Sequence, residues 1–332
     1  MKFLKSTVTA FFLATSLSAT ILPSIPGSTT AVSAETAEPD AKPDIPGYLQ
    51  AISVTLRAGR STGSGVAFTR DDVTYIWTAA HVVDGLRTTR SVVDPRTGTP
   101  RTIVEFKDAQ VIKTLIDEGR TVGRLEMDAE VLRYSGANHG EDLALLRVRK
   151  KGFIKATAHF YLGEAIPPLG TRLLHVGSLL GQQGSNSMTT GIMSQHGRLI
   201  GKTVYDQTTV TAFPGSSGGG VYLEDGRYIG MLVRGAGEGF NLIVPARRMR
   251  EWAASAGISW ALDPAVEMPP EEKLKDMPIE DIGASFAKSK AASDDERSKE
   301  TTGTPIKFPY RIRDNGSTAV KIEVVPRPLD RD

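Results

Sequence analysis

The sequence contains no cysteine. That absence excludes a disulfide-stapled scaffold, a thiolate metal centre and a lipid-modified cysteine anchor, and leaves core packing to supply stability. An excess of either charge is also lacking: 40 Lys and Arg stand against 38 Asp and Glu, a formal net charge of +2. No basic patch stands out, so nucleic acid is not an implied partner. Beyond the N-terminus there is no long apolar run. Lys2 and Lys5 precede the stretch Val8 to Leu22, which is largely apolar but diluted by Thr and Ser. With small residues at Val32-Ser33-Ala34, residues 1–34 read as a secretory signal cleaved after Ala34 rather than a permanent membrane span. Only five histidines are present, His81, His139, His159, His175 and His196, so chemistry that needs an imidazole has few candidates.

What the chain does have is a glycine-rich run around a serine, Pro214-Gly215-Ser216-Ser217-Gly218-Gly219-Gly220. As turn chemistry it is a flexible loop. As catalytic chemistry it is a nucleophile on a backbone cradle. Attack of a hydroxyl on a carbonyl creates an oxyanion that needs preorganised N–H donors, and glycine gives a turn the freedom to present them. The register selects Ser217. Gly215 stands two places before it and Gly218-Gly219 follow, whereas Ser216 would have Pro214, which lacks an N–H, at the donor place. The N–H groups of Gly215 and Ser217 are then the oxyanion donors, with Ser216 a further candidate.

A serine hydroxyl needs a base, and the base an orienting group. His81 ends the β-prone run Tyr75-Ile76-Trp77-Thr78-Ala79-Ala80-His81, where a buried strand breaks into a turn or short helix. Without the serine motif it would read as a core histidine. Asp142 opens the apolar strand Leu143-Ala144-Leu145-Leu146 and is placed to accept the Nδ1–H of His81; the plain alternative is a turn aspartate. Glu141 is the neighbouring carboxylate, with its side chain on the opposite strand face.

These segments occur in the order His, Asp, Ser. Each resembles the corresponding motif of the chymotrypsin-like serine proteases, and the bacterial HtrA/Deg branch most of all. Ser61-Thr62-Gly63-Ser64-Gly65-Val66-Ala67-Phe68 is similar to that branch's glycine-bearing strand before the histidine. Tyr228-Ile229-Gly230-Met231-Leu232 and Gly239 to Pro245 are similar to the strands after its serine. The resemblance spans residues 48–258 and implies an all-β fold of two six-stranded antiparallel β-barrels with a C-terminal helix. Too few residues follow position 258 for a PDZ domain. Arg87 to Leu132 has no counterpart, which predicts an enlarged loop or an extra hairpin. Secreted eukaryotic relatives of this fold carry disulfides, so a chain without cysteine reads as a bacterial exported protein, periplasmic or secreted.

Along the chain, residues 35–47 lack periodicity and read as a disordered segment. Leu49 to Arg57 reads as the first strand, and Gly63 to Thr69 with Val73 to Thr78 as a hairpin turning at Asp71-Asp72. Strands of a second barrel are expected from Thr171 onward, including Gln207 to Ala212. Pro245 to Gly257 reads as a helix with Met249, Trp252, Ala253 and Ala256 on one apolar face. Residues 259–304 are rich in mixed charge and read as a flexible linker, and 305–332 as a β-hairpin-like extension turning at Asp314-Asn315-Gly316.

The resemblance implies a primary pocket lined by Thr211, Ala212 and Phe213 on one side, Val233, Arg234 and Gly235 on the other, and Asn241 near its base. No acid occupies Thr211, six places before Ser217, so a buried Lys or Arg of a substrate would lack a partner. Cleavage after small or medium apolar residues is expected. The implied function is an exported serine endopeptidase acting on proteins or peptides, with no metal or cofactor. The alternatives are a catalytically silent protease-fold scaffold, which would normally show a broken triad, and ester hydrolysis on the same triad.

Overall fold

Alternating and apolar segments joined by tight turns carry most of the chain into antiparallel strands. The computed structural model describes residues 43–280 except 94, 118, 139, 202 and 236–238, together with 310–313 and 321–324. The predicted signal, residues 35–42, the chain from 281 to 309, and the turn at Asp314-Asn315-Gly316 lie outside the described residues. In chain order the elements are α1 (Ile45–Ile52), β1 (Ser53–Ala58), β2 (Ser61–Arg70), β3 (Val73–Thr78), α2 (Ala80–Val83), β4 (Arg87–Val93), β5 (Pro100–Phe106), β6 (Ala109–Asp117), β7 (Arg120–Ser135) and β8 (Leu143–Val148). They continue with β9 (Arg172–Leu179), β10 (Gly184–Ile200), β11 (Thr203–Thr208), β12 (Gly220–Leu223), β13 (Tyr228–Gly235), β14 (Asn241–Pro245), α3 (Ala246–Ser255), α4 (Glu271–Asp276), β15 (Tyr310–Arg313) and β16 (Lys321–Val324).

Two six-stranded barrels result, as expected. The first closes in the order β1-β2-β3-β8-β7-β6 and the second in the order β10-β11-β14-β13-β12-β9. The β2–β3 hairpin turns on Asp71 and Asp72, both at positive φ (49° and 62°). That is the two-residue geometry whose twist matches the strands it joins, and aspartate tolerates it better than most residues. The insertion between His81 and Asp142 is the separate two-stranded sheet β4–β5, in register from Arg87↔Phe106 to Val93↔Pro100. Strands β15 and β16 pair antiparallel from Tyr310↔Val324 to Arg313↔Lys321.

Three expectations need correction. The body begins with a helix where a strand from Leu49 and a disordered 35–47 were expected. The Asp44 carboxylate caps α1 by accepting the Gly47 N–H at 2.9 Å, and Pro46 suits its first turn. Leu49 and Ile52, three apart, are both fully buried. Strand β11 starts at Thr203 and ends at Thr208, so Val210 to Phe213 are free to form the wall before the serine turn.

The third correction concerns the supposed linker, whose residues 259–280 are packed on the first barrel. Trp260 and Leu274 are buried, and Met268, Met277 and Ile279 pack against the same core. Trp77 Nε1–H donates to the Ala261 carbonyl at 3.0 Å, and Tyr75 meets Trp260 edge to face at 4.9 Å. Polar contacts hold it as well: Arg70 donates to the Pro264 and Val266 carbonyls, Arg87 pairs with Glu280, and Glu271 pairs with Arg147 and Lys275. Mixed charge raised the mean polarity of the segment and masked its widely spaced apolar anchors. Because this strap covers the outer face of β3, Thr74 to Thr78 are buried on both faces, which is why the strand reads as a near-continuous apolar run. No helix among the described residues is long and apolar enough to cross a membrane.

Candidate active site

His81 sits in α2, a single helical turn at the end of β3. Ala79 and Ala80 are fully buried beneath it, so bulkier residues there would push the turn off the barrel. The His81 ring presents Nδ1 to both carboxylate oxygens of Asp142 at 3.0 Å, and its main-chain N–H donates to Oδ1 at 3.1 Å. Asp142 is 1% exposed, and a carboxylate oxygen serves as an acceptor. That pairing requires the proton on Nδ1 and leaves Nε2 of the neutral ring as an acceptor. The imidazole is about one-third exposed.

The loop that delivers Asp142 is fastened on two sides. Asp142 itself adopts a left-handed backbone, φ 57°. Before it, the Glu141 N–H donates to Ser135 Oγ at 2.8 Å. Arg248 reaches across from α3, donating to the Glu141 carboxylate at 2.7 Å and to the Val204 carbonyl at 2.7 Å, with its guanidinium over the Tyr205 ring at 4.8 Å. Arg248 was not anticipated from the sequence. The signal was there: it lies four places before Trp252, a charge on the apolar stripe of an amphipathic helix, where only a buried partner makes it tolerable.

The serine turn lies between the barrels. Gly215 (φ 99°) and Gly218 (φ 87°) take left-handed conformations, and a Cβ at either would strike backbone, 2.3 Å from the Ser178 carbonyl and 2.1 Å from the Ser64 carbonyl respectively. The Leu180 N–H donates to the Pro214 carbonyl at 2.9 Å. In a trans peptide this turns the Gly215 N–H to the opposite side. Among the described residues, neither the Gly215 nor the Ser217 N–H finds a backbone acceptor, whereas the Ser216 N–H donates to the Phe213 carbonyl at 2.9 Å. Ser216 therefore does not offer its N–H to an oxyanion in this conformation. Its fully buried hydroxyl accepts from the Phe213 N–H at 3.2 Å and closes the turn on itself. The Ser217 hydroxyl is aimed at the Val233 carbonyl, 3.5 Å away, and makes no hydrogen bond to His81.

The expected pocket residues flank this turn unevenly. Val233 and Asn241 are buried, Ala212, Arg234 and Gly235 are half-buried, and Thr211 and Phe213 are exposed. Asn241 donates to the Val210 carbonyl at 2.7 Å, and its buried Oδ1 has no hydrogen-bond partner among the described residues. Arg234 lies over the Tyr205 ring at 5.9 Å. His175 is a core residue: Nδ1 bonds the Gly220 carbonyl at 2.9 Å, and complete burial lowers its pKa to about 4. His159 is exposed beside Tyr48, His196 lies 3.8 Å from Asp206, and His139 is outside the described residues. No cluster of metal-ligating side chains occurs among the described residues.

A family model described as a trypsin-like peptidase domain matches residues 63–231, just over half of the chain. The chain belongs to the trypsin-like peptidase family. It is 31% identical over 176 residues to a probable periplasmic serine endoprotease, DegP-like, of Halomonas elongata, a match covering 52% of this chain and 29% of that relative. The chain thus spans less than a third of the length of the curated relative it matches. Among solved structures, Deg5 aligns at 19% identity and a TM-score of 0.47, covering 66% of this chain and 94% of that one. A serine endoprotease from Yersinia pestis aligns at 19% identity and a TM-score of 0.44, covering 64% and 66%.

Proposed function

We propose that the chain is an exported serine endopeptidase whose triad is His81, Asp142 and Ser217. The observation that carries the reading is the His81–Asp142 fork, which fixes the tautomer a general base requires, beside a serine turn with two unclaimed backbone N–H groups. In the first step Ser217 Oγ bonds to the scissile carbonyl carbon while its proton passes to His81 Nε2. The Gly215 and Ser217 N–H groups receive the oxyanion. As the carbonyl reforms, the C–N bond breaks and His81 returns the proton to the leaving amine. Water, deprotonated by His81, then releases the acyl group. Before the first step the Ser217 hydroxyl must turn from the Val233 carbonyl toward His81.

The pocket reading adds a preference for small or medium apolar residues before the scissile bond. Its support is the lack of an acid at Thr211 and the uncharged wall of Ala212, Val233 and Asn241. Export is supported by the signal-like residues 1–34 and by the periplasmic description of the Halomonas relative. A fluorophosphonate probe tests the core of the proposal: stoichiometric labelling of Ser217, lost in Ser217→Ala, is expected. A wild-type protein that stays unlabelled from about pH 6 to pH 9 would favour a silent scaffold instead.

A further inference from the structure

Ser64, on β2 of the first barrel, is 1% exposed and touches the serine turn at two places. Its main-chain N–H donates to the Ser217 carbonyl at 2.7 Å. Its hydroxyl donates to the Gly215 carbonyl, also at 2.7 Å. The same oxygen accepts the Ser178 N–H of β9 at 2.7 Å, which fixes the direction of its only proton. The Ser64 carbonyl in turn accepts from Thr78 Oγ1, three residues before His81, at 2.7 Å. The approach is close: a Cβ at position 63 would lie 2.5 Å from Val82 Cγ2 and 3.0 Å from the Ser217 carbonyl.

Gly215 has no intrinsic reason to hold φ at 99°, because glycine samples both signs of φ at similar cost. Its conformation has to be imposed from outside. The carbonyl before it, of Pro214, is held by the Leu180 N–H, and its own carbonyl is held by the Ser64 hydroxyl. With both flanking peptide planes pinned, the direction of the Gly215 N–H is set. We propose that Ser64 is a positioning residue for the oxyanion site: its hydroxyl holds the Gly215 peptide and its N–H holds Ser217, so that one residue of the first barrel sets the spacing of both donors. The proposal rests on the reading of Ser217 as nucleophile and of Gly215 and Ser217 as oxyanion donors.

The test is steady-state hydrolysis of a chromogenic peptide by the full chain, with inhibition by a peptidyl boronic acid, whose tetrahedral adduct needs the same two donors. Ser64→Ala is expected to lower kcat about ten- to a hundredfold and to weaken the boronate by a similar factor, while KM moves less than about threefold. Thr55→Val is the control. It removes a neighbouring buried hydroxyl, bonded to Ser178 Oγ at 2.5 Å, without touching the turn, and should leave kcat and boronate affinity unchanged. Wild-type kcat in Ser64→Ala, or an equal loss of kcat in Thr55→Val, overturns the proposal. Should Ser64→Ala not fold, Ser64→Cys, similar in size but a weaker donor, replaces it: reduced kcat at unchanged Tm supports the role, and wild-type kcat overturns it. Hydrolysis surviving in Ser217→Ala would instead defeat the underlying reading of the site, an outcome separate from any result at Ser64.

Discussion

Arg248 on α3 grips Glu141 twice, at its carboxylate (2.7 Å) and at its main-chain carbonyl (2.5 Å). A helix that follows the second barrel therefore holds the residue next to Asp142, which belongs to the first. Removing one partner of a largely buried pair leaves the other uncompensated. Arg248→Met should destabilise the protein by about 3 kcal/mol and lower kcat by loosening the Asp142 loop. Urea unfolding midpoints and kcat measured on the same samples check both effects. Glu141→Gln should cost less, because Arg248 keeps its bonds to the Glu141 and Val204 carbonyls.

Asp142→Asn separates geometry from chemistry. Asparagine accepts the left-handed backbone at this position as readily as aspartate, so Tm should hold. The amide side chain no longer enforces the Nδ1–H tautomer of His81, and kcat should fall on the order of 10³- to 10⁴-fold. Activity assays paired with thermal melts distinguish this from simple unfolding, which would lower both.

Much of this site was legible from residue type and order. His81, Asp142 and Ser217 stand in contexts that only a few chemistries explain, and the strands around them carry β-branched and aromatic residues at suitable spacing. What was hidden depended on partners distant in sequence. Ser64 looks like any strand serine until β9 and the serine turn surround it. Arg248 becomes meaningful only beside Glu141. The helix at Ile45–Ile52 was too short for periodicity to reveal, and the strap after position 258 was obscured because its apolar anchors are diluted by paired charges.

The strap makes a stability prediction. Trp260→Ala removes a buried aromatic that packs on Tyr75 and Phe68, and should cost roughly 3–5 kcal/mol. The loss should appear as a lower urea midpoint. Because the ring partners of Trp260 are Phe68 and Tyr75 rather than His81, Asp142 or Ser217, kcat at low temperature should change far less than stability does.

His175 predicts a pH dependence. Its folded pKa of about 4 lies below the ordinary histidine value, so between these two pH values the unfolded chain binds a proton that the folded chain refuses. Stability is then fully present above about pH 6.5 and falls as pH drops toward 4, by up to roughly 3 kcal/mol. Unfolding free energies across this window should show the slope, and His175→Gln, which cannot titrate, should reduce it.

The position of the strap also sets an order of events. A chain is made from its N-terminus, so Phe68, Tyr75 and Trp77 exist long before Trp252, Trp260 and Leu274 arrive to cover them. The first barrel keeps an uncovered aromatic face until about residue 280 has been synthesised. Glu141, the neighbour of Asp142, likewise waits for Arg248 of α3, made more than a hundred residues later.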